Sequence, residues 1–96
     1  MLYEKKISSF PQLIRELDII DLDAGIRAVG KYKASKCLVF VTRSASGFTA
    51  LLYNTKRAGK ESIPNKRLLA KDFATVKDLE SFLAGVVVKP VVASEY

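Results

Sequence analysis

Histidine is absent from this sequence and cysteine occurs once, as Cys37. Zinc centres draw on several Cys and His ligands, so they are all but excluded, and no metal ligand is assigned. A serine or cysteine nucleophile activated by histidine is excluded within the chain, and no intramolecular disulfide can form. Cys37 itself lies in an apolar strand-like run and is expected to be packed rather than reactive. Long apolar runs are missing too. Leu38 to Val41 and Val86 to Val88 fall far short of the roughly 20 residues of a membrane-spanning helix. The N-terminal MLYEKKISSF carries charges with no apolar stretch behind it, so no secretory signal is expected and cytoplasmic residence is the default. Neither GxGxxG nor GxxxxGK[ST] is present, so no nucleotide loop is indicated and no cofactor is expected.

Carboxylates are scarce in one region only. Residues 25–71 carry eleven Lys and Arg against one acid, Glu61, whereas residues 1–24 and 72–96 each carry two more acids than bases. The whole +6 excess therefore belongs to the middle of the chain.

What is present reads as one small α+β domain over residues 1–96. Ser9, Pro11 and Gln12 predict a capped helix start, and Phe10, Leu13, Ile14 and Leu17 recur on one helical face to about Ile19, with Arg15, Glu16 and Asp18 off it. Residues 22–33 are ambiguous. Leu22, Ile26 and Val29 share a helical face, and a helix is preferred there. Yet Ile26, Ala28 and Tyr32 also alternate with Arg27, Val29 and Lys31 as a strand would, and Gly25 and Gly30 each weaken a helix by about 1 kcal/mol. Cys37–Arg43 and Phe48–Lys56 predict an antiparallel hairpin, with Gly47 supplying a positive φ in its turn. Residues 57–65 read as an exposed loop and Lys66–Phe73 as a third strand. Thr75 and Asp78 then cap a helix bearing Val76, Leu79, Phe82 and Leu83 on one face, stopped by a left-handed Gly85. Val86–Val88 favours extended structure, and Pro90 limits the tail to an edge strand at best. The expected fold is a three-stranded antiparallel sheet with helices packed on one face, in the order α(α)βββα plus a short C-terminal extended segment.

The candidate site is noncatalytic and basic: Arg43, Arg57, Lys60, Arg67 and Lys71 are expected to contact phosphates of DNA or RNA, with Tyr53 and Phe48 as stacking surfaces. Arg67 and Lys71 are expected on one face of the third strand and Lys66 on the other. Asp21 and Asp23 read as first-turn helix residues rather than cation ligands. Over Cys37 to Gly85, including AKDFATVKDLESFLAG, three strands followed by a helix resemble the arm-binding domains of phage-type integrases. That resemblance implies a sheet set in a DNA groove. The same stretch resembles small phage anti-CRISPR proteins, which implies a small inhibitor that itself comes from a phage or other mobile element. No binding residue is carried over from either. The functional expectation is a nucleic-acid-binding accessory protein. The alternative is a small protein-binding module or inhibitor acting through an apolar patch or edge strand, with a homodimer through the C-terminal valines as one form of it.

Overall fold

A computed structural model describes residues 6–89 and 91–95 of the chain, with the Glu95 side chain outside the description. The expectation placed on Pro90 lies outside these residues. In chain order the elements are β1 (Lys6–Ile7), α1 (Phe10–Ile19), β2 (Gly25–Tyr32), β3 (Ser35–Ser44), β4 (Gly47–Ala58), β5 (Glu61–Phe73), α2 (Val76–Ala84) and β6 (Ala93–Glu95). The strands form one six-stranded sheet in the order β1-β6-β2-β3-β4-β5, antiparallel at every pairing. The expected three-stranded sheet is therefore corrected to six strands.

The largest correction is in residues 22–33, where Gly25–Tyr32 forms a strand and no helix forms. Each β2 residue pairs with β3, from Gly25 opposite Thr42 to Tyr32 opposite Ser35. The alternation wins because the even positions Ile26 and Ala28 reach the core while Arg27 and Lys31 remain exposed. Gly30, a handicap in a helix, is required in the strand. A Cβ there would meet Val39 Cγ2 at 2.8 Å and the Val86 carbonyl oxygen at 2.9 Å.

Residues paired across a ladder share a face. One face carries Ile26, Val41 and Ala50 in one row and Ala28, Val39 and Leu52 in the next. These join Leu13 and Leu17 of α1 and Leu79 and Leu83 of α2 in one buried cluster. Both helix starts follow their caps. The Ser9 hydroxyl accepts from Gln12 N (3.3 Å), the Gln12 side chain accepts from Ser8 N (3.4 Å), and Thr75 Oγ1 accepts from Asp78 N (3.2 Å). Glu16, expected off the packed face, is buried with Leu13 and Leu17. Cys37 is fully buried opposite Asn54, and burial pushes its thiol up from the usual range, which leaves little thiolate at neutral pH.

The end of α2 differs from expectation. Gly85 keeps a right-handed conformation (φ −91°, ψ −7°). What ends the helix is capture of the next residues by β2: Lys31 N donates to Val86 O (2.8 Å) and Val88 N to Val29 O (3.2 Å). Val86, Val87 and Val91 are buried. β6 lies inside the sheet, paired with β2 on one side and β1 on the other, which corrects the expected edge position.

The β2–β3 turn is built from residues poorly suited to it. Lys33 (φ 50°) and Ala34 (φ 66°) both occupy the left-handed region, as a two-residue hairpin turn demands and as Asn-Gly would supply. For a residue with a Cβ this costs roughly 1–2 kcal/mol. Ala34→Gly removes that cost but enlarges the unfolded ensemble by about 0.4–1 kcal/mol. A net gain near 0.5 kcal/mol is expected, seen in a thermal melt as a Tm about 2–4 °C higher; an unchanged or lower Tm would show that the turn carries no such strain.

Candidate nucleic-acid interface

The interface begins with two irregularities in β5. Leu52 pairs with Leu69, Tyr53 with Arg67 and Thr55 with Pro64, so β5 spends one extra residue at each step. Each extra residue inverts the side-chain alternation beyond it. Leu68 occupies the first bulge, which accounts for its exposure as a large apolar residue. At the second, the Asn54 side chain accepts from Lys66 N at 2.7 Å, replacing a lost ladder bond.

The expectation that Arg67 and Lys71 share a face is thereby overturned. Lys71 pairs with Ala50 on the helix-covered face, whereas Arg67 pairs with Tyr53 on the other. Lys71 Nζ lies 5.4 Å from the centroid of Phe73 and 5.8 Å from that of Phe82. It closes the rim between β5 and α2. Arg43 is also on the helix side. Its guanidinium lies 4.8 Å from the Phe48 centroid and donates from Nη1 to the Asp18 carbonyl at 3.3 Å. That carbonyl belongs to the last turn of α1, where such groups lack helical partners and a cation is favoured. Phe48, expected as a stacking surface, is 4% exposed and part of the core.

Arg57, Lys60 and Arg67 lie along one two-stranded ribbon with Lys56 and Lys66, spread from Arg67 at its base to Lys60 at its tip. Residues 57–65, expected as a loop, are largely ladder: Lys56 pairs with Ile63, Arg57 with Ser62 and Ala58 with Glu61. Gly59 (φ 64°) turns the chain at the tip. The last β3–β4 pair is Cys37 with Asn54, so beyond it the ribbon pairs with no third strand among the described residues. At about 3.4 Å per residue it extends roughly 14 Å past that pair, and residues 56–62 are exposed on both faces. Within 56–67 there are five cations and one carboxylate.

On the uncovered face the rows run Arg27–Phe40–Leu51–Ala70 and, one step nearer the ribbon, Val29–Leu38–Tyr53–Arg67. Lys31 and Lys36 pair in the next row, toward the ribbon. Phe40 and Tyr53 meet edge to face, with centroids 5.6 Å apart and planes at 88°. Phe40 is the stacking candidate missed in the sequence. Its alternation with Cys37, Val39 and Val41 could have identified it as facing away from the core. Asp72 on this face accepts from Thr49 Oγ1 at 2.8 Å, in the row on the far side of Phe40 from Tyr53. On the opposite side the signs are mixed: α1, α2 and the 20–23 turn hold Arg15 and Lys77 against six Asp and Glu residues, and Arg43, Lys71 and Lys89 stand over rings there.

Among the described residues no helix is long and apolar enough to cross a membrane. Comparison with protein-family models, curated proteins and solved structures returns no match.

Proposed function

We propose that this chain is a noncatalytic, cytoplasmic accessory protein that binds nucleic acid through the β4–β5 ribbon and the uncovered sheet face. The observation that carries this reading is the separation of charge across the molecule. Arg27, Lys31, Lys36, Lys56, Arg57, Lys60, Lys66 and Arg67 lie on the ribbon and the sheet face behind it, while α1, α2 and the 20–23 turn carry six acids against Arg15 and Lys77, with Arg43, Lys71 and Lys89 set against their side. Such a field orients the protein toward a polyanion before contact and raises the encounter rate. Arg57, Lys60 and Arg67 keep the phosphate-binding role expected of them. Arg43 and Lys71 are given a structural one, because each is already spent on aromatic rings and a helix end.

The test is fluorescence anisotropy of a labelled oligonucleotide across a salt series. Binding at low salt should weaken linearly in log–log form as salt rises, with a slope set by about 0.7–0.9 per phosphate neutralised. No anisotropy change at low salt removes the reading.

A second reading, a protein-binding module or inhibitor, is favoured by the other end of the face. Val92 is 59% exposed and borders an apolar depression of about 400 Å³ lined also by Val29, Leu38 and Val91. A second copy of the chain is one such partner. Capture of one purified partner, little altered by high salt, would support this reading.

A further inference from the structure

We infer that the ligand is single-stranded, with bases stacked on Phe40 and Tyr53 and flanking phosphates held by Arg27 and Arg67. This rests on the nucleic-acid reading above and names the ligand within it. Phe40 and Tyr53 stand at the middle of the sheet, half-buried, on β3 and β4. Each is flanked by an arginine on the outer side: Arg27 of β2 opposite Phe40, and Arg67 of β5 opposite Tyr53. Strands are spaced by about 4.8 Å, so the two arginines are roughly 15 Å apart with both rings between them.

That arrangement suits unpaired bases. A duplex conceals its base faces in the stack, so two rings on a sheet face would meet only base edges and backbone. A single strand can splay its bases onto aromatic rings while its backbone follows the cations. The second β5 irregularity completes the site. It brings Pro64 and Asn65 beside Phe40, Leu51 and Tyr53 to frame a depression of about 370 Å³. The Asn54 side chain pins that irregularity, so the wall is fixed in place.

The experiment compares a thymidine oligonucleotide of about twelve nucleotides with a DNA duplex of the same length, by anisotropy at fixed salt. The single strand is expected to bind more tightly. Phe40→Leu and Tyr53→Leu, which keep apolar bulk and remove the ring, should each weaken single-strand binding about tenfold and duplex binding less than about twofold. Thermal melts show whether each variant is folded. Tyr53→Trp supplies a second measurement, since stacking should quench its emission when the single strand is added. A duplex preference, or full single-strand affinity in both leucine variants with no quenching of the tryptophan, overturns the inference and leaves the nucleic-acid reading standing. Absence of binding to either oligonucleotide at low salt removes both.

Discussion

Replacing Lys56, Arg57 and Lys60 together by Gln is expected to lower nucleic-acid affinity by roughly 10²–10³-fold at about 50 mM salt. Each phosphate contact contributes about 0.7–0.9 to the log–log salt slope, so loss of three should reduce that slope by about 2–3. The fold should be unaffected. These residues lie where the ribbon pairs with no third strand among the described residues, and they are exposed; such substitutions usually change stability by less than about 0.5 kcal/mol. Arg43→Gln is the informative control. It removes a cation from the same middle segment, but one held against the Phe48 ring and the Asp18 carbonyl. The variant should lose about 1 kcal/mol of stability and keep its salt slope. A slope that falls as much for Arg43→Gln as for one ribbon cation would mean that binding follows total charge and not the ribbon.

Gly47→Ala is expected to cost about 3–5 kcal/mol, much of the about 5–15 kcal/mol that stabilises a typical domain. Two terms combine. Gly47 has φ 147°, a region essentially reserved for glycine and worth about 1–3 kcal/mol. A Cβ there would also collide with the Phe73 carbonyl oxygen and stand 3.0 Å from Ala74 Cα. Both are backbone atoms at the junction of β5 and α2, so relief requires the sheet edge and helix to separate. Gly59→Ala isolates the first kind of term. Its φ is 64° but nothing lies within 4 Å of the added methyl, so the left-handed cost of about 1–2 kcal/mol, offset by about 0.4–1 kcal/mol from the stiffer unfolded chain, should leave a loss of about 0.5 kcal/mol. Thermal or urea unfolding of the two variants measures the difference. Equal destabilisation would mean that the Phe73–Ala74 junction moves aside freely.

The parts that were legible in the sequence share a physical character. Caps at Ser9 and Thr75 and the apolar periods of α1 and α2 are interactions among residues three or four apart. The β-branched run around Val39 and the ring-bearing β4 segment likewise announce strands by local composition. Residues 22–33 were balanced between two periods. What decided them was a contact from far along the chain: β6 and Val86–Val88 line up beside β2, and Gly30 admits the Val86 carbonyl. Local propensity carries no information about that partner.

The candidate site separates in the same way. That the middle segment is basic, and that Arg57, Lys60 and Arg67 lie near the third strand, is readable from residue order alone. Which cations act together is not. One extra residue in β5, Leu68, inverts the alternation between Lys71 and Arg67, so one lies on the helix-covered face and the other opposite Tyr53. A bulge is a choice about pairing with β4, made by ladder geometry and the Asn54 side chain, and a strand read singly has no ladder. The sequence by itself determined an α+β chain with two capped helices, a β3–β4 hairpin and a cationic centre, because those follow from neighbours along the chain. The tertiary structure alone decided the six-stranded order, the ribbon that projects beyond β3, and the pairing of Arg27 with Phe40 and of Arg67 with Tyr53. Each of these depends on which strands meet and in what register, which is settled by packing between residues distant in sequence.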